Sequence, residues 1–108
     1  MENRIAGADA NPYLAIAASL AAGLAGLQAQ SSPSNEMAGD AYSAEHETEL
    51  TLPRNFDAAW ARMAESPAVP ALLGTDFTRA YLAVKALEQD HFMREISAWE
   101  RRYLVAQA

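Results

Sequence analysis

The sequence contains no cysteine, which excludes disulfides, thiolate metal sites and a cysteine nucleophile. That absence fits a cytoplasmic protein. Cations are scarce as well. Eight Lys and Arg stand against 14 Asp and Glu, and a formal charge of −6 argues against a nucleic-acid surface, which needs clustered Lys and Arg. The nearest approach to a basic cluster, Arg94, Arg101 and Arg102, is interleaved with Glu95 and Glu100. A membrane-spanning run is also missing. The longest apolar stretch, Tyr13 to Leu27, has 15 residues, short of the roughly 20 that cross a bilayer. A secretory leader has that length, but its start should be positive, and here Glu2 and Asp9 outnumber Arg4. Large apolar side chains are thin on the ground too. Of the 51% apolar residues many are alanine, which buries little area, so the 108 residues make one domain at most.

What is present is mostly helical pattern. Residues 1–11 read as a loop or short strand end, with Gly7 supplying a turn and Asp9 a backbone acceptor. Asn11 caps a helix with Pro12 in its first turn, where a missing N–H costs nothing. The body of this helix, residues 12–28, is apolar nearly all round, with Leu14, Ile16, Leu20, Leu24 and Leu27 among alanines. Such a helix should be buried on nearly every side, and nothing else in so short a chain can wrap it. Gly23 and Gly26 point to close approach of another backbone, or to fraying. A partner outside the chain is therefore expected.

Residues 29–54 lose periodicity and read as a long loop, with a brief alternation around Thr48, Leu50 and Leu52. Helices resume over residues 55–108. Asn55 caps a segment carrying Phe56, Ala59, Trp60 and Met63 and ending near Glu65; a short turn from Pro67 to Leu73 is closed by Gly74. Thr75 or Asp76 opens the longest helix, reaching about Glu95. Phe77, Ala80, Tyr81, Val84 and Leu87 form its apolar face, while Arg79, Lys85, Glu88 and Gln89 look outward. Ser97 and Glu100 have capping-box spacing and begin a terminal turn with Trp99, Tyr103 and Leu104. Trp60 and Trp99 are expected to fill core with their N–H groups bonded at its edge.

Reactive groups concentrate at the start. In an extended segment Glu2 and Arg4 point to the same side. A carboxylate there suits a hard divalent cation, and a guanidinium suits a carboxylate or phosphate. A plain surface ion pair satisfies the same spacing. His46 among Glu45, Glu47 and Glu49 reads as a solvated acidic loop, and His91 as a partly buried or helix-end histidine. Ser31, Ser32 and Ser34 have no histidine–acid arrangement to make them nucleophiles.

The order Glu2-Asn3-Arg4, Gly7-Ala8-Asp9-Ala10-Asn11-Pro12-Tyr13-Leu14 and an alanine-rich helix resembles the C-terminal part of glutamine synthetase catalytic domains. The likeness continues through Leu52-Pro53-Arg54, Leu72-Leu73-Gly74, Ala80-Tyr81-Leu82-Ala83-Val84-Lys85 and Trp99-Glu100-Arg101-Arg102-Tyr103-Leu104. Glu2-Asn3-Arg4 with the glycine loop is similar to the branch that includes gamma-glutamylpolyamine synthetases. The resemblance implies a chain that is mostly α as it stands, four to five helices with a long central loop, forming the C-terminal portion of an α+β catalytic domain. Within it residues 1–11 are the active-site loop, 12–28 the buried helix, 29–54 the loop and 55–108 the helical tail.

By that resemblance Glu2 matches a metal-binding glutamate, and Arg4 matches the catalytic, substrate-binding arginine that contacts the glutamyl substrate and the phosphoryl group in transit. Asn11, Pro12 and Tyr13 are structural, setting the helix start. The implied cofactors are Mg²⁺ or Mn²⁺ and ATP in the intact enzyme. The implied partners are the remainder of the ligase domain, homo-oligomer subunits, glutamate, and ammonia or a polyamine, with no nucleic acid and no membrane. The family's other metal ligands, nucleotide contacts and substrate flap have no counterpart here. Met1 falls where the family has an apolar strand residue, so the expectation is a chain begun at an internal methionine and inactive alone. The rival expectations are a free-standing small helical interaction module without catalysis and a secreted helical protein.

Overall fold

The computed structural model describes residues 5–33, 39–40 and 51–107. Among them are five α-helices and no strand: α1 (Pro12–Gln28), α2 (Phe56–Glu65), α3 (Ala68–Leu73), α4 (Thr75–Arg94) and α5 (Ala98–Leu104), with a 3₁₀ turn at Val105–Gln107. This is the mostly helical chain expected for the C-terminal portion of the family's catalytic domain. The alternation at Thr48 and Leu50 and most of the 29–54 loop lie outside the described residues.

Each helix begins and ends for a chemical reason. Asn11 Oδ1 accepts from the Tyr13 and Leu14 amides at 3.0 and 3.3 Å, with Pro12 in the first turn. At the other end of α1 the Ser31 amide donates to Gly26 O and the Gln30 amide to Leu27 O. That is a Schellman closure with Gln30, at φ 51°, in the left-handed position usual for glycine. Asn55 caps α2 through a 2.8 Å bond from the Ala58 amide. Between α3 and α4 stands Gly74 at φ 90° and ψ 142°, a conformation that side chains avoid. It caps α4 by backbone alone, and the helix opens at Thr75, one of the two starts the sequence pattern offers.

Helices α2, α3 and α4 form the body. The Trp60 indole N–H donates to Leu82 O at 3.0 Å, tying α2 to α4. Gln89 Nε2 donates to Asp57 Oδ1 at 3.2 Å across the same pair. Gln89 is thus half-buried and bridging, a correction to its expected outward position. Thr78, 4% exposed, is the one buried residue among those described, and its hydroxyl donates to Gly74 O at 2.8 Å. Trp60 is half-buried as expected, but Trp99 is 62% exposed and stacks only on Tyr103, 4.9 Å away. Its expected core position is corrected, because α5 makes its main contacts with the 3₁₀ turn that follows it.

The expected burial of α1 is not found among the described residues. No residue of α1 is buried, although Ser19 satisfies its hydroxyl internally on Ala15 O. The half-buried side, Leu14, Ala15, Ala21 and Ala25, faces the body. The large side chains, Tyr13 at 82%, Leu20 at 69% and Leu27 at 78% exposed, point away from it. A Cβ on Gly23 or Gly26 meets no atom within 4 Å, so no backbone approaches there. The radius of gyration is 18.2 Å, against about 13 Å for a compact chain of this length.

Two outcomes are expected. Gly74→Ala should cost about 2 kcal/mol through backbone strain, while Gly23→Ala, with open space for its methyl, should stabilise α1 by about 1 kcal/mol. Thermal circular dichroism of the two variants tests the opposite signs. In α5 the Ser97 amide donates to Glu100 Oε2 at 2.7 Å and the Glu100 amide to Ser97 Oγ at 3.1 Å. The Ser97 backbone bond, then its side-chain bond, hold the Glu100 carboxyl below its ordinary range. A carboxyl depressed in the folded state stabilises it above the unfolded pKa and loses that effect as pH falls through the folded one. Acidification should therefore fray α5, and Glu100→Gln should flatten the response of the Ser97 amide resonance to pH.

Candidate functional site

The two residues singled out for chemistry, Glu2 and Arg4, lie outside the described residues, as do His46 and its neighbouring glutamates. What the structure describes is the segment that leaves them. Ile5 to Ala10 is exposed and turns once, the Ala10 amide donating to Gly7 O at 3.1 Å. A Cβ added to Gly7 would stand 2.9 Å from Asp9 Oδ1, a contact that rotation of the short Asp9 side chain relieves. The loop then enters α1 through the Asn11 cap. The two amides bonded by Asn11 are among the four that a helix start leaves unpaired, so the cap fixes where the loop ends.

Beside this helix start lies a groove of about 900 Å³ between α1, α2 and α4, with Asp9, Asn11, Leu14, Trp60, Tyr81 and Lys85 in its lining. Its walls are chiefly apolar. Phe77 and Tyr81 stack at 5.7 Å between ring centres, and the Lys85 ammonium stands 5.6 Å from the Tyr81 ring. Lys85 is engaged by Glu88 at 2.6 Å. That hydrogen bond raises the lysine above its ordinary pKa against a smaller opposing effect of burial, so it stays a paired cation. A paired lysine is neither a nucleophile nor a proton acceptor at neutral pH. The groove offers apolar contact without an acid–base pair.

Metal chemistry finds no home in the described part either. Among the described residues no three of His, Asp and Glu come together as cation ligands. Magnesium and manganese need several oxygen donors in near-octahedral array, so these residues do not fit either ion. His91 sits exposed in the last turn of α4, a helix-end histidine as its position suggests. Among the described residues no helix is long and apolar enough to cross a membrane. The contacts that sequence reasoning missed, Gln89 with Asp57 and Arg62 Nη1 with Thr51 O at 2.7 Å, support the body without touching a reactive group. Spacings of 32 and 11 residues carry no periodic signal that would have announced them.

The family profile described as "Glutamine synthetase, catalytic domain" matches residues 1–104. The chain is 35% identical over 105 residues to a glutamate–isopropylamine ligase of Pseudomonas sp, covering 96% of this chain and 23% of that protein. It is 33% identical over 101 residues to a gamma-glutamylethanolamide synthetase of Streptomyces coelicolor, covering 94% and 21%. A glutamine synthetase of Rhizobium leguminosarum is 32% identical over 102 residues, covering 93% and 23%. The chain thus spans under a quarter of the length of these curated relatives. No solved structure matches it significantly.

The cap at the start of α1 can be tested directly. Asn11→Ala should cost about 1 kcal/mol and speed hydrogen exchange at the Tyr13 and Leu14 amides while leaving α4 protected.

Proposed function

The chain belongs to the glutamine synthetase family, matching its catalytic domain, and on that premise we propose that it is the C-terminal portion of an ATP-dependent glutamate–amine ligase. The observation that carries this reading is the match over residues 1–104 with Glu2-Asn3-Arg4 at its start. The reaction class is transfer of the terminal phosphoryl group of ATP to the γ-carboxylate of glutamate. An amine then displaces phosphate from the gamma-glutamyl phosphate, forming the amide and losing a proton.

In this reading Arg4 is the catalytic residue of the chain. Its guanidinium donates to the glutamyl carboxylate and to phosphoryl oxygens, where fixed donors stabilise charge developing in the transition state. Glu2 contributes one carboxylate oxygen to a divalent cation whose other ligands come from elsewhere in the domain. The Gly7 turn and the Asn11 cap fix how the described residues 5–11 enter α1. The amine in this reading is an alkylamine or polyamine rather than ammonia: Glu2-Asn3-Arg4 leans that way, and two relatives are named for an isopropylamine substrate and an ethanolamide product. The whole enzyme would be a cytoplasmic homo-oligomer.

The 108 residues alone should be inactive, since one cation ligand and one arginine cannot position ATP. Calorimetric titration with Mn²⁺ and a non-hydrolysable ATP analogue should show negligible heat; tight binding by a cooperatively folded chain would overturn the reading and favour an independent domain. Fused behind the rest of the Pseudomonas ligase in place of its matching segment, the chain should restore ATP-dependent amide formation. There Arg4→Ala should lower kcat about a hundredfold, and Glu2→Gln should weaken Mn²⁺ activation.

A further inference from the structure

We propose that the groove between α1, α2 and α4 is a subsite for the alkyl chain and distal ammonium of a diamine or polyamine, with Asp9 as the carboxylate that selects the second positive charge. The proposal rests on the ligase reading above and adds to it a residue that determines which amine is taken.

The groove offers a ligand apolar walls and one unanswered charge. Four aromatic rings, Phe56, Trp60, Phe77 and Tyr81, take part in its lining. Methylene groups lie well against such walls, and ring faces also attract cations. Tyr81 does so already, with the Lys85 ammonium 5.6 Å from its centre. Other polar groups of the lining are committed. Asn11 Oδ1 accepts from two amides, the Trp60 indole donates to Leu82 O, and Lys85 is paired with Glu88. Asp9 is different: among the described residues no hydrogen bond or ion pair engages its carboxylate. Glycine at position 7 makes room for that group. Asp9 Oδ1 lies 2.9 Å from where a Gly7 Cβ would stand, so the carboxylate folds back over the turn, on the side of the chain that leads to Arg4.

Charge chooses the occupant. With Lys85 neutralised by Glu88, Asp9 leaves the groove net negative, and the chain as a whole carries −6. An anionic ligand is therefore disfavoured and a cation is drawn in. A monoamine spends its one nitrogen as the nucleophile, which must be unprotonated to attack, and keeps no ammonium for Asp9. A diamine or polyamine keeps one. Asp9 follows Arg4 by five positions, at most about 17 Å of extended chain, a reach that an extended polyamine matches.

The test is a titration of the isotope-labelled 108-residue chain with spermidine, read at its indole resonances. Trp60 should shift, and Trp99, which takes no part in the groove, should not. Asp9→Asn should weaken the affinity about tenfold. Glu65→Gln removes the same charge from an exposed position outside the groove and should leave the affinity unchanged. Equal loss in the two variants, or equal shifts at both indoles, would mark a diffuse response to net charge and overturns the proposal. Propylamine binding as tightly as spermidine overturns it too. A second measurement holds even where the chain packs loosely by itself. In the active fusion with the Pseudomonas ligase, spermidine should compete with isopropylamine, and Asp9→Asn should raise its inhibition constant about tenfold while Glu65→Gln does not. An active fusion in which spermidine fails to compete, or competes equally well against Asp9→Asn, removes the subsite and leaves the function standing. An inactive fusion counts against the function, and the titration then decides the groove.

Discussion

An uncharged helix that the other described residues leave uncovered shapes the rest of this structure. Apolar burial is the main favourable term in folding, and α1 holds much of the large aliphatic surface available here. Its body-facing side is alanine with Leu14 and contributes little area. Ile16, Leu20, Leu24 and Leu27 are exposed, so the burial that would close a core does not take place among the described residues.

What order the body has comes from a few directional contacts. Trp60 reaches the backbone of α4, Gln89 reaches Asp57 on α2, and Thr78 folds its hydroxyl back on Gly74. Each places a polar group where it is satisfied, which matters more in a half-wet interior than the small net energy of each bond. Helix α5 depends on none of these. Its capping box and the Trp99–Tyr103 stack are local, so it holds its shape while contributing nothing to the core.

This architecture suits a supporting role at the edge of a site. The body offers one apolar groove and a paired lysine beside the start of α1, and no clustered ligands among the described residues. The chain belongs to the glutamine synthetase family and spans under a quarter of the length of the curated relatives it matches.

Local chemistry was legible in the sequence because its causes are local. Asn11 and Asn55 as caps, Ser97 with Glu100 as a box, and Gly74 as a stop are each set by residues within a few positions, and the structure shows all of them. Family and helical class were likewise readable, since motif order survives without coordinates. Glu2 and Arg4 were named by resemblance, and the described residues do not reach them. Tertiary structure alone decided that Gln89 turns inward to Asp57, that Trp99 stays in water and that α1 turns Leu14 and alanines inward while Leu20, Leu24 and Leu27 stay exposed. The physical reason is the same in all three. A helix apolar all round has no preferred side in its own sequence, and a polar or aromatic residue takes its place from what stands opposite. That is a matter of packing between distant segments, which no periodicity encodes.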